Sequence, residues 1–251
     1  MSVTRIAFRL LALALLIGLT CAPNLFEPLF RPLTSNGAPA IYTRTTLLSL
    51  TLAHLQIVLL AAAASTLVAV LLGIFVTRPA GAEFLPLSRG LADMGQTFPP
   101  IAVLALAVPI FGFGEIPTFI ALFLYGLLPI FENTMAGLTE APAGVLDAAR
   151  GMGMNGRQRL FLIELPLALP VILAGIRLSL VINLGTATIG STVAAKGLGE
   201  VIIAGLLSNN TAYVLQGGLI VALLAMLLFD GMMALEHVAT RRLGVSSLAS
   251  V

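Results

Sequence analysis

Hydrophobic and polar positions along the chain come in blocks. Apolar runs near residues 6–20, 52–76, 98–112, 117–131, 167–190 and 213–235 are separated by stretches rich in Pro, Gly, Asn, Thr or charge. A helix needs about 20 apolar residues to cross the roughly 30 Å hydrocarbon core of a bilayer. The pattern therefore predicts an all-α membrane protein, a polytopic bundle of about six transmembrane helices. The first run follows Arg5 and Arg9 and reads as a retained anchor, because Gly18-Leu19-Thr20 before Cys21 is a poor lipoprotein site.

Each run carries its own detail. In the second, Ala61, Ser65, Ala69 and Gly73 recur every four residues, a small-residue stripe that lets another helix backbone approach closely. His54 reads as a solvated interfacial histidine near the outer end. The third run starts behind Pro99-Pro100 and carries Pro109, and the fourth carries Pro129. Glu115-Ile116-Pro117 reads as the tight turn between them. Prolines kink helices, so Pro109 should kink the third run. Two adjacent runs, each with an internal proline, suggest helices that bend around a pathway, with Pro99 and Pro129 as candidate path residues. In the fifth run Arg177 is expected to snorkel or to pair with Glu132 or Asp230. Asn183, Gly185, Thr186, Ala187, Thr188 and Gly190 make the same run small and polar, which suits a pore wall, with Asn183, Thr186 and Thr188 as the candidate lining residues.

The stretch Asp147–Pro166 holds Asp147, Arg150, Arg157, Arg159 and Glu164. Each such charge costs roughly 2.5–3.5 kcal/mol at the centre of a membrane helix, so the stretch is expected in water. Its first half predicts a short amphipathic helix behind Pro142. Val145, Ala149 and Met152 fall on one face, Asp147 can pair with Arg150, Gly153 offers a stop, and Asn155-Gly156 offers a turn.

Composition fixes the class. The chain has 251 residues, 59% hydrophobic and 10% charged, with mean hydropathy +1.06, against about 25% charge in a soluble domain. One cysteine excludes an internal disulfide or a Cys-based metal cluster. Lys196, in AAKGLG, lacks the spacing of a phosphate loop. With the N-terminus inside, nine basic residues (Arg5, Arg9, Arg78, Arg89, Arg150, Arg157, Arg159, Arg241, Arg242) are cytoplasmic and three (Arg31, Arg44, Lys196) external. That asymmetry agrees with the positive-inside rule and puts both termini and the 147–166 stretch in the cytoplasm.

The charged stretch resembles the EAA loop of ABC-importer permeases, whose pattern is E-A-A, three residues, G, nine residues, I-x-L-P. Asp147, Ala148, Ala149, Gly153, Ile163, Leu165 and Pro166 hold those positions at the same spacing, with Asp147 in place of Glu. Further blocks look like the osmoprotectant branch: Gln96-Thr97-Phe98-Pro99, Tyr125-Gly126-Leu127-Leu128-Pro129-Ile130, Ala168 to Arg177, Gly185-Thr186-Ala187-Thr188, Gly197-Leu198-Gly199 and Leu215-Gln216-Gly217.

The resemblance implies a type I, MetI-like fold. Residues 1–45 would be an N-terminal transmembrane helix with an external loop, 46–240 the core permease with a coupling loop at 136–166, and 241–251 a cytoplasmic tail. It also implies a translocation subunit with no catalytic residues, metal or cofactor of its own, ATP and Mg being held by a partner ATPase. The implied partners are cytoplasmic ATPase subunits, a second permease of the same or a different chain, and an external substrate-binding protein. The expected solutes are glycine betaine, choline or carnitine. A permease for an amino acid, sulfonate or oxyanion, or an ion-coupled secondary transporter, is the alternative. The three tyrosines, Tyr42, Tyr125 and Tyr213, look too scattered to form an aromatic cage, which places tight capture on the binding protein.

Overall fold

The computed structural model describes residues 3–35 and 37–242, and among these residues the regular structure is helical throughout. The main helices are α1 (Val3–Cys21), α2 (Leu47–Val76), α3 (Leu85–Thr97), α4 (Pro100–Phe111), α5 (Glu115–Thr139), α6 (Ala143–Gly151), α7 (Leu165–Thr186), α8 (Gly199–Leu207) and α9 (Thr211–Arg242). The tail expected at 241–251 lies outside the described residues from position 243 onward.

Four helices qualify as spans alone: Leu47–Val76, Glu115–Thr139, Gly156–Val193 and Thr211–Arg241. Six are reached if two bent pairs, Ile6–Cys21 with Pro23–Leu33 (108°) and Ala82–Thr97 with Pro100–Phe111 (97°), each count as one. The bends have a local cause. A residue before proline is pushed out of the α region, and Pro99, ahead of Pro100, sits at φ −57°, ψ 137°.

Several boundaries differ from the sequence pattern. The stretch between the second and third apolar runs is largely helical, as α3. The 12 residues of α4 reach only about 18 Å, too short to cross by themselves. The tight turn before α5 is made by Gly112 and Gly114, at φ 81° and 121°, while Glu115 already opens the helix. The fifth span begins at Gly156, eleven residues before the apolar run, because a capped helix start carries the charged residues into it.

The chain forms two compact units. One holds the residues up to Ala61, Phe98–Phe123 and Leu180–Phe229; the other holds Ala62–Thr97, Leu124–Ser179 and the residues from Asp230. In the first, Leu104, Ala121 and Val193 form an apolar core with Val103, Val108 and Ile189 against it. His54 is buried there at 1% exposure, its Nε2 3.0 Å from the Leu184 carbonyl, so it is a packed residue and not the solvated one expected. Tyr42 and Tyr213 are also closer than expected, meeting edge to face at 5.3 Å. The Tyr42 O–H donates to Glu200 Oε1 at 2.5 Å and its backbone N–H to Gln216 Oε1 at 3.0 Å, which ties the segment before α2 to α8 and α9.

In the second unit Leu138, Ala168 and Ile172 pack with Val70, Ile74, Leu165 and Ile176. α5 and α7 come close at Gly175, where a Cβ would lie 2.7 Å from Asn133 Cβ and 2.8 Å from the Pro129 carbonyl oxygen. Arg89 holds Glu132 with two hydrogen bonds of 2.8 and 3.2 Å. Arg177 donates to Glu236 at 2.6 Å. Of the carboxylates expected to pair with Arg177, Glu132 is held by Arg89, and Glu236 on α9, which was not among them, accepts from Arg177.

Candidate functional site

The charged stretch folds as two helix pieces around a sharp stop. Pro142 caps α6 without a side-chain bond, and Arg150 Nη1 donates to Asp147 Oδ1 at 2.9 Å on the exposed face. α6 then ends in a reciprocal backbone closure. The Gly153 N–H donates to the Arg150 carbonyl at 2.9 Å and the Met154 N–H to the Ala149 carbonyl at 3.1 Å. This Schellman geometry needs a left-handed residue, and Gly153 supplies it at φ 79°.

Asn155 was expected to turn the chain, but it starts the next helix. Its Oδ1 accepts from the Gln158 N–H at 2.9 Å, while Gln158 Oε1 accepts from the Asn155 N–H at 2.8 Å, a complete capping box. One helical turn later the chain winds as a π-helix, Leu160–Glu164, before α7 begins. Pro166 gives the reason, since a proline ring clashes with the carbonyl four residues back. That residue is Leu162, inside the widened turn.

Of the EAA-pattern positions, Ala149 is buried at 1% exposure, Asp147, Ala148 and Gly153 are exposed, and Ile163, Leu165 and Pro166 are half-buried. Met152, read as part of the Ala149 face, is 73% exposed instead, because α6 has already ended at Gly151. Phe161 and Leu162 are 64% and 61% exposed. Glu164, on the same stretch, is buried and pairs with Arg78 at 2.5 Å. Nothing in the local sequence marked that partner.

The polar positions on the fifth span separate. Asn183 is fully buried within the first unit, with its Nδ2 donating to the Leu122 carbonyl at 3.2 Å. It joins α7 to α5 and does not sit on an exposed wall of this chain. Thr186 and Thr188 are half-buried, their hydroxyls donating to the Ile182 carbonyl at 3.0 Å and the Gly185 carbonyl at 2.7 Å. Pro99 is exposed at the 97° bend. Pro129 is buried under α7. Its missing N–H frees the Tyr125 carbonyl, and Gln96 Nε2 donates to that oxygen at 3.4 Å. All four stripe positions, Ala61, Ser65, Ala69 and Gly73, are buried, and a Cβ on Gly73 would lie 2.7 Å from Thr134 Cγ2.

Residues 69–237 match the family described as "Binding-protein-dependent transport system inner membrane component". This chain belongs to that family. The permease is 42% identical over 175 residues to the osmoprotectant import permease protein OsmY of Salmonella typhimurium, covering 70% of this chain and 74% of that protein. It is 37% identical over 199 residues to the glycine betaine/carnitine/choline transport system permease protein OpuCB of Bacillus subtilis, covering 78% and 86%. Among solved structures, the inward-facing MetNI methionine ABC transporter superposes with TM-score 0.69 at 21% identity, over 79% of this permease and all of that chain. That likeness establishes the fold, a MetI-like ABC-permease helical bundle.

Proposed function

We propose that this permease is the membrane-spanning subunit of an ATP-driven importer for osmoprotectants such as glycine betaine, choline or carnitine. The observation that carries the reading is the 42% and 37% identity, each over at least 70% of the chain, to two permeases whose names carry osmoprotectant import and glycine betaine, carnitine and choline transport. It works with cytoplasmic ATPases that hold ATP and Mg, a second permease, and an external binding protein. The segment Asp147–Pro166 lies on the cytoplasmic side together with both termini, and α6 docks on the ATPase. Ala149 sets the seat of α6 against its own subunit, Ala148 and Asp147 face the partner, and Gly153 fixes where the helix stops. Ile163, Leu165 and Pro166 pass the motion into α7. The buried stripe Ala61, Ser65, Ala69 and Gly73 keeps α2 closely packed during that motion.

In this reading Thr186 and Thr188 border the path and Pro99 sets the bend at one edge of it. Asn183 and Pro129, being buried, act by holding α5 and α7 in place. The test is uptake by liposomes carrying the permease, its ATPase and its binding protein. ATP-dependent accumulation of glycine betaine, choline or carnitine is expected. Accumulation of methionine or a sulfonate with none of these would overturn the solute assignment.

A further inference from the structure

In the first unit a cavity of about 220 Å³ lies between the first half of α2 and the start of α5. Gln56, Ile57 and Leu60 line it from one face of α2, and Glu115, Ile116 and Phe119 from α5. Its walls are apolar except for the Gln56 amide and the Glu115 carboxylate, and among the described residues no cationic side chain lines it. One turn further along α5, Phe123 stacks on Phe119, ring centroids 6.4 Å apart and planes 12° from parallel. Glu115, Phe119 and Phe123 therefore recur every four residues on one helix face, a carboxylate followed by two rings.

We propose that this cavity is a weak binding site, on the permease itself, for a methylated ammonium headgroup. The solute class rests on the function proposed above; the site rests on its lining. A quaternary ammonium has no N–H to donate, so it is recognised by opposite charge, by aliphatic contact with its methyl groups and by the faces of aromatic rings. Glu115, Ile57 with Leu60, and Phe119 supply these three. An anionic solute would meet the Glu115 carboxylate with nothing to offset it. A carboxylate in the first turn of a helix also favours the helix dipole, which accounts for an acid at Glu115 but not for the cavity or the rings beside it. Two rings stacked along one helix do not enclose a cation, so the site holds its ligand loosely, as a passage requires.

Tetramethylammonium is the probe, added to the solubilised permease–ATPase complex without the external binding protein and followed by saturation-transfer NMR. Saturable binding in the millimolar range, displaced by choline, is expected for the wild type. Binding should weaken by several-fold in Glu115→Gln, whose carboxylate is exposed, and by several-fold in Phe119→Leu, and persist in Glu115→Asp. An unchanged thermal unfolding profile of Glu115→Gln shows that the loss is not one of folding. Equal binding by the wild type and Glu115→Gln, or no saturable binding by the wild type, overturns the site. Uptake measured in parallel separates the two claims. Transport of a trimethylammonium solute without this binding leaves the proposed function standing and removes the site. Saturable binding without such transport does the reverse.

Discussion

Arg78 and Glu164 meet at 2.5 Å, joining the end of α2 to the π-helical turn that leads from the charged stretch into α7. The Glu164 side chain is 7% exposed and that of Arg78 29%. Breaking a buried ion pair by removing one partner costs about 3–5 kcal/mol, because the other charge is left unpaired. The partial exposure of Arg78 places this pair at the low end of that range. Glu164→Gln or Arg78→Ala should lower the thermal unfolding temperature, and solute-stimulated ATP hydrolysis should fall in parallel. The double exchange Arg78→Glu with Glu164→Arg should recover part of both. Wild-type stability in either single variant would show that the pair contributes nothing.

The seat of α6 can be tested by size. Ala149 is 1% exposed, so Ala149→Trp forces a large side chain into a packed contact, which commonly costs about 1–3 kcal/mol. Gly153→Asp puts a Cβ at φ 79° and disrupts the stop. Both variants should insert in the membrane but retain roughly five- to a hundredfold less ATPase on co-purification. Asp147→Glu should be neutral, since position 147 is exposed and the change restores the family residue.

Orientation is tested by labelling. With Cys21 replaced, a cysteine at Asn155 should react with an impermeant maleimide only from the cytoplasmic side. One at Asn209, an exposed residue at φ 51° just before α9, should react only from outside. Labelling of Asn155 in intact cells would reverse the topology and remove α6 from any ATPase. Position Ser246, in the tail, offers the same cytoplasmic readout but lies outside the described residues.

Alkaline stability should report on Tyr42. Burial, and then the Glu200 carboxylate that accepts its O–H, push the phenol from 10.0 up to about 12. A raised pKa means that the contribution is complete below the unfolded value near 10 and is lost as pH climbs through the folded value. A shift of that size corresponds to roughly 2–3 kcal/mol between about pH 10 and 12. Thermal unfolding of the wild type should therefore steepen its decline in that window relative to Tyr42→Phe. Parallel curves for the two proteins would show that the Tyr42–Glu200 bond does not stabilise the segment before α2.

Tight approach of α5 and α7 predicts a steric limit at Gly175. Its Cβ position is already within 2.8 Å of the Pro129 oxygen, so Gly175→Val must push two spans apart. Overpacking of this kind costs about 1–3 kcal/mol, and the yield of folded, monodisperse permease should drop accordingly. Gly218→Val, where a Cβ meets nothing within 4 Å, serves as the control.

The blocks of apolar residues were enough to determine the class and the approximate spans, because a bilayer selects for length and hydropathy, both of which are linear properties. The spacing Asp147 to Pro166 likewise determined the family, since that pattern depends on positions along one local segment. The stop at Gly153 was legible for the same reason, as a left-handed turn favours glycine wherever it occurs. What the sequence could not decide is who meets whom. Arg177 had several carboxylates within reach of a guess, and only the packing of α9 gives it Glu236. His54 and Asn183 read as polar surface, yet the helices close over both and offer them carbonyls from Leu184 and Leu122. The bend ahead of α4 was visible in Pro99-Pro100, but the helix α3 that leads into it was not. Side-chain burial and pairing are set by contacts between segments distant in sequence, and no local pattern encodes those distances.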